Sequence, residues 1–175
     1  MKKIFLSVFF ILILPGAAAL FAQEKVLQVG FAYANSQYNF QGAERGGLAQ
    51  ISMYATKGIL RFGGYGDFLL TNDAYLGGGG IQLGIGCNVF DFLRFALLGK
   101  AGLGGGKIEG DAGACYNYGA EFSVILQGEK NPGIGIYIAH EEIRNLIKLD
   151  ALSVNPLGYT SLGIKISFRV TDGSK

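Results

Sequence analysis

His140, Glu141 and Glu142 follow one another in the chain, an imidazole beside two carboxylates, and this is the pairing that general-base and nucleophilic catalysis draw on. His140 is the sequence's one histidine, which excludes a His-rich metal cluster. Catalysis also needs a nucleophile oriented by that base, and the spacing identifies none. The enzyme reading rests on His140 alone, and no catalytic residue, metal ligand or cofactor is assigned. A second near-match is Ala101–Ile108, AGLGGGKI, which comes within one residue of a phosphate-cradling glycine loop. In such a loop the residue after the lysine carries a hydroxyl for Mg²⁺ and opens a helix facing the phosphates. Here that residue is Ile108, and Glu109-Gly110-Asp111-Ala112-Gly113 has no helical period. Nucleotide binding is not expected: with 29 glycines in 175 residues, glycine-rich windows arise from composition.

The elements that would position these side chains have a period of two. Residues 26–34 set Leu27, Val29, Phe31 and Tyr33 against Gln28, Gly30, Ala32 and Ala34, large apolar residues on one face and small or polar ones on the other. The same alternation recurs in 48–56, 59–70, 75–89, 93–103, 113–127, 133–141 and 159–170. Eight strands are predicted. The connections at 57–58, 90–92 and 128–132 are short, whereas 35–47, 104–112 and 142–158 are long and 71–74 is brief, so short and long connections mostly alternate.

The N-terminus has the three-part layout of a secretory signal peptide: Met1-Lys2-Lys3, an apolar run Ile4–Leu14, then Pro15-Gly16 and small residues ending at Ala22. Cleavage after Ala22 removes 22 of the 175 residues, leaves 153, and takes the formal charge from +2 to 0 through the loss of Lys2 and Lys3. That is one domain's length. A neutral mature chain lacks the basic stripe that captures nucleic acid, so no nucleic-acid partner is expected. Past residue 22 no apolar run reaches 18 residues, so no transmembrane helix is expected.

Charge placement separates the possible sheets. Arg61, Asp67, Arg94, Lys100, Glu121, Lys165 and Arg169, the charges well inside strands, all fall on the small or polar face. A soluble sandwich needs bulky apolar residues in its core, whereas a membrane barrel turns them to lipid and keeps charges in its lumen. Small residues suit the narrow interior of eight strands, and a lysine or arginine on the lipid face near the midplane would cost about 2–4 kcal/mol. The predicted fold is all-β, an eight-stranded antiparallel up-and-down transmembrane β-barrel over residues 23–170, with 171–175 as a polar tail. The seven charges form the predicted lumen network. Their five cations outnumber Asp67 and Glu121 and would favour anions in a pore, but the narrow interior points to ion pairs filling the lumen, Lys100 pairing with Glu121.

Aromatic residues cluster at the two ends of the lipid face: Phe31, Tyr33, Phe68, Tyr75, Tyr116 and Tyr118 at the outer end, Phe62, Phe90, Phe92, Phe95 and Phe168 at the inner. Such girdles mark both interfaces of a membrane barrel. The connection 142–158, EIRNLIKLDALSVNPLG, is unusually apolar for a loop, with Ile143, Leu146, Ile147, Leu149, Leu152 and Val154. It either packs over the barrel rim or offers a contact surface to an extracellular partner. Period two puts Cys87 on the lipid face near the inner end and Cys115 in the lumen near the outer end, so no disulfide between them is expected.

In its signal-peptide layout, eight alternating segments, short turns at one end and final aromatic strand GIKISF, the chain resembles the small eight-stranded outer-membrane β-barrel proteins over residues 23–170. The resemblance implies a bacterial outer-membrane location, with membrane lipid and the barrel-assembly machinery as partners. Many such proteins end at a terminal aromatic that this machinery reads, whereas here Phe168 is followed by Arg169-Val170 and TDGSK. Some members are lipid A deacylases with a serine two positions after the histidine; here that position is Glu142. The function expected is a non-enzymatic outer-membrane barrel with a plugged polar lumen and an envelope-structural or surface-contact role. The alternatives are a narrow porin-like channel for small solutes and a lipid-modifying enzyme.

Overall fold

The computed structural model describes residues 24–36, 45–72, 74–90, 92–108, 110–128, 132–149 and 156–170. The expected signal peptide, the tail 171–175, and Leu152 and Val154 lie outside the described residues. Eight strands follow in chain order: β1 Glu24–Ser36, β2 Arg45–Lys57, β3 Leu60–Thr71, β4 Ala74–Val89, β5 Leu93–Ile108, β6 Asp111–Leu126, β7 Gly133–Ile147 and β8 Leu157–Val170. Each pairs antiparallel with its sequence neighbours, and β1 pairs with β8, closing the barrel. Closure leaves no sheet edge with unpaired backbone groups, a condition for crossing hydrocarbon.

One end of the barrel, the terminal end, holds Glu24, Val170 and the connections 58–59, 90–92 and 127–132. The opposite, distal end holds the connections 37–44, 72–73, 109–110 and 148–156. Gly58 and Gly110 adopt positive φ values of 60° and 103°, which a residue with a Cβ rarely takes, and each sits in a tight turn.

Two distal connections differ from expectation. The predicted loop 104–112 is a tight turn at 109–110, because β5 continues through Gly104-Gly105-Gly106 to Ile108 while paired with Leu76, Gly77 and Gly78. Glycines have no side chain to alternate, so the strand carries no period there. The predicted loop 142–158 begins later, since β7 runs on to Ile147. A β-bulge shifts the register between Ala114/Cys115 of β6 and Ile147/Asn145 of β7, making Leu146 the extra residue. Leu146 and Ile147 consequently both face outward and are exposed.

The outer surface is apolar. Ile51, Met53, Ile81, Leu83, Ile85, Leu97, Ile134, Ile136, Ile138, Leu162 and Ile164 are each about half exposed or more, a continuous belt far larger than a water-soluble monomer carries. The strands, 12 to 16 residues long, exceed the 9–11 residues or so that a tilted strand needs to cross a bilayer. This is a transmembrane barrel whose belt of large apolar residues faces lipid.

Candidate functional site

The barrel interior contains the chain's densest polar chemistry, and period two along each strand is what turns it inward. Arg61, Arg94, Lys100, Glu121 and Lys165 are buried, and Asp67 nearly so, while Arg169 is half-buried near the terminal end. They form two clusters. At the terminal end Arg94 Nη2 and Arg169 Nε lie 2.9 Å and 3.0 Å from Glu24 Oε1. Arg61 donates from Nη1 to the carbonyls of Gly58 and Leu60 at 2.8 Å and 3.0 Å, holding the β2–β3 turn from inside.

The second cluster lies farther in. Lys100 Nζ is 3.0 Å from Glu141 Oε1, 3.1 Å from Glu121 Oε2 and 3.5 Å from Asp67 Oδ2. Lys165 Nζ pairs with Glu121 Oε1, so one carboxylate bridges two ammonium groups. Asn117 Nδ2 donates to Tyr65 Oη at 3.0 Å and to Glu141 Oε2 at 3.1 Å. Two rings complete the shell: Lys100 Nζ lies 4.9 Å from the centroid of Tyr65, and Lys165 Nζ lies 4.5 Å from that of Tyr137. Desolvating these charges is costly, and the alternation of signs together with the ring contacts offsets that cost. Gly119 makes the arrangement sterically possible, because a Cβ there would sit 2.7 Å from Glu141 Cγ and 2.2 Å from the His140 carbonyl oxygen.

Above this network, toward the distal end, the interior turns apolar. Leu48, Leu69, Leu76, Ile108, Ile143, Leu149, Leu157 and Tyr159 form one buried cluster with Ala34, Ala74 and Cys115. Three expectations are thereby corrected. The interior is not polar throughout, because inward positions near the distal end are filled by aliphatic residues. Ile143 and Leu149, from the connection expected either to pack over the barrel rim or to offer a contact surface, are buried inside the barrel, and among the described residues of that surface Leu146 and Ile147 are exposed. The cation excess of three over the inward carboxylates falls to one, since Glu24 and Glu141 also point inward. Parity along β1 and β7 could have found both: Glu24 shares a face with Gln28, and Glu141 with Tyr137.

The predicted girdle residues lie on the outer surface. Phe31, Tyr33, Phe68, Tyr75 and Tyr118 are exposed toward the distal end with Tyr116 partly covered; Phe90, Phe92 and Phe168 are exposed toward the terminal end with Phe62 and Phe95 partly covered. Several stack: Phe90 on Phe92 at 6.0 Å, Phe95 on Phe122 at 6.4 Å and Tyr116 on Tyr118 at 6.4 Å between centroids. Cys87 is exposed on the outside and Cys115 is buried inside, both as free thiols.

His140 is exposed on the lipid face, and its Nδ1 lies 3.2 Å from Thr160 Oγ1 on the paired strand. The hydroxyl beside the imidazole therefore comes from β8, which linear spacing did not reveal. Glu142, on the same outward face, is ion-paired with Arg144, whose guanidinium carbon lies 6.0 Å from the Tyr118 ring centroid. Residues 101–108 lie within β5, with no helix behind them. Among the described residues no group of three or more histidine, cysteine or acidic side chains is arranged to hold a metal ion.

No protein-family model matches the chain, and no curated protein matches its sequence. Solved structures do match. The crystal structure of Neisserial surface protein A superposes with a TM-score of 0.62 at 16% identity, covering 82% of this chain and 97% of that one. The crystal structure of Ail, the attachment invasion locus protein of Yersinia pestis, covers 83% of this chain and 98% of that one at 17% identity, with a TM-score of only 0.41. With closure, strand number, antiparallel neighbour pairing and an apolar exterior all in place, this chain has the fold of the small eight-stranded outer-membrane β-barrel proteins.

Proposed function

We propose that the chain is an integral protein of a bacterial outer membrane, inserted after cleavage following Ala22. In this reading its interior is plugged, and it acts without catalysis in envelope structure or surface contact through its distal end. The observation that carries the reading is the two-tier filling of the barrel, an ion-paired network around Lys100 lying beneath the aliphatic cluster around Leu69 and Ile143. Eight strands enclose a space that side chains can fill, and a desolvated aliphatic tier opposes the passage of hydrated solutes. The distal connections 37–44 and 148–156 are the longest at that end and are where an extracellular partner would bind. Membrane lipid surrounds the belt, and the barrel-assembly machinery inserts the chain. The name of Neisserial surface protein A places that protein at a surface, and the same role is proposed here.

The non-enzymatic reading is supported by the surroundings of His140: the imidazole has the Thr160 hydroxyl, but the Glu142 carboxylate is held by Arg144 rather than orienting a catalytic base. Conductance recording in planar bilayers tests the closed interior, with no unitary current steps expected; reproducible anion- or cation-selective steps would replace this reading with the narrow channel. Incubation with lipid A followed by mass spectrometry of the lipid tests catalysis, and the lipid should be recovered unchanged.

A further inference from the structure

At the terminal end the outer surface combines an apolar pocket with a pair of cations. β3 pairs with β4 as far as Leu60 and Ile85, and Gly86 N donates to the Ile59 carbonyl at 2.8 Å. Beyond that bond β4 runs on through Cys87 to Val89 paired with β5 alone, so a notch opens in the wall beside the β2–β3 turn. The notch is a pocket of about 270 Å³ lined by Ile59, Ile85, Cys87, Phe95, Leu97 and Phe122. It is smaller than a drug-sized ligand needs and suits a length of acyl chain. Arg61 holds the turn from inside through the carbonyls of Gly58 and Leu60, which keeps the backbone of Lys57 and Ile59 beside the pocket.

The aromatic residues fix the depth of these features in the bilayer. Phe168 pairs with Leu27, and Lys25 lies two residues closer to the terminal end; Phe62 pairs with Ala55, and Lys57 lies two residues beyond Ala55. Aromatic girdles mark the interface, so both lysines stand at headgroup depth. The pocket, with Ile85 and Leu97 of the apolar belt in its wall, stands at acyl-chain depth. Lys25 and Lys57 share the outward parity of Leu27 and Met53 and are diagonal neighbours on paired strands, about 7–8 Å apart at the backbone. Among the described residues no carboxylate accompanies them on the outer face at this end, because Glu24 turns into the lumen toward Arg94 and Arg169.

We propose that this site holds one anionic glycerophospholipid of the phosphatidylglycerol type, its phosphate on Lys57 with Lys25 beside it and an acyl chain in the pocket at Cys87. The proposal rests on the orientation given above, in which the terminal end faces the periplasm, and the periplasmic leaflet of a bacterial outer membrane is built from glycerophospholipids. Charge complementarity selects the headgroup. A phosphate is attracted to both lysines, and an ethanolamine ammonium attached to it would meet two like charges with no carboxylate to receive it. A glycerol headgroup brings no such repulsion.

Refolded full-length mature protein in detergent is titrated with phosphatidylglycerol or phosphatidylethanolamine and examined by native mass spectrometry, its folded state being checked by the mobility of unheated samples. One phosphatidylglycerol should be retained in preference to phosphatidylethanolamine. Lys57→Gln should weaken that retention about fivefold and Lys25→Gln/Lys57→Gln about thirtyfold. Lys107→Gln, which removes an exposed lysine at the distal end, should leave it unchanged. Cys87 gives a second readout in the pocket itself: phosphatidylglycerol should slow its alkylation by a small maleimide, and Lys57→Gln should restore the rate. Equal retention of the two lipids, folded lysine variants that bind as the parent does, or alkylation of Cys87 indifferent to lipid overturns the proposal. A heat-insensitive, water-soluble product would instead overturn the membrane barrel itself. An epitope placed in the connection 37–44 that antibody fails to reach on intact cells would overturn the orientation.

Discussion

Lys100 and Glu141 meet across the inside of the barrel, Nζ to Oε1 at 3.0 Å, although β6 stands between their strands in the sheet. The contact spans the lumen rather than a ladder, so it forms only when the barrel has closed. It ties together three carboxylates from β3, β6 and β7 around one ammonium.

Removing that ammonium should be severely destabilising. Lys100→Met leaves Glu141, Glu121 and Asp67 facing one another with Lys165 as the nearest remaining cation, and breaking a buried pair costs about 3–5 kcal/mol. Urea unfolding of the refolded protein, followed by heat-modifiable mobility, should show the loss. The double variant Lys100→Met/Glu141→Gln should recover part of it, since one of the stranded charges is gone. A double variant no more stable than Lys100→Met would mean that the Lys100–Glu141 contact contributes nothing specific.

Gly119 and Gly99 should respond differently to the same substitution, the first impaired and the second unaffected. A Cβ at Gly119 meets the His140 carbonyl oxygen at 2.2 Å, so Gly119→Ala should impair pairing of β6 with β7 and lower the yield of folded barrel. Gly99→Ala meets only ordinary van der Waals contact and should fold as the parent does. Refolding yields of the two variants, measured side by side, check the pairing geometry.

A charge on the belt should be tolerated in detergent and penalised in lipid. Ile136 stands between Ile134 and Ile138 on the exposed face of β7, and Ile136→Arg should cost about 2–4 kcal/mol in a bilayer near mid-depth. Folding equilibria in liposomes, compared with those in detergent micelles, provide the measurement. Equal stability in both would place Ile136 away from the hydrocarbon.

The two thiols should remain unlinked. Cys87 is exposed on the outside and Cys115 buried within the barrel wall, and a disulfide requires Cα atoms within about 7 Å of one another. Alkylation of the denatured protein without reductant should add two labels by intact mass. In the folded protein a small, membrane-permeant maleimide should modify Cys87 first and Cys115 only after unfolding. An internal disulfide in the native protein would contradict the strand directions described above.

Much of this architecture is written in local alternation. The pleat sends successive side chains to opposite faces, so Arg94 and Lys100, or Lys165 and Arg169, fall on one face wherever large apolar residues occupy the other. Strand number, the inward direction of the charges and the outward direction of the girdle residues are therefore legible in the amino-acid order. Where alternation carries no information, the order is silent. Gly104-Gly105-Gly106 has no side chains to alternate, and near the distal end both faces are apolar, as at Leu69-Leu70, so β5 and β7 extend past their readable limits. Lys100 and Glu121, on paired strands, could be matched from the order, but which inward residues touch across the lumen was decided by closure. Joining β1 to β8 brings Lys100 to Glu141, Arg94 to Glu24, and Leu149 into the cluster of Leu69 and Ile143. These contacts cross the lumen between strands that share no hydrogen bonds, and no period along a single strand can encode a distance across the space that eight strands enclose.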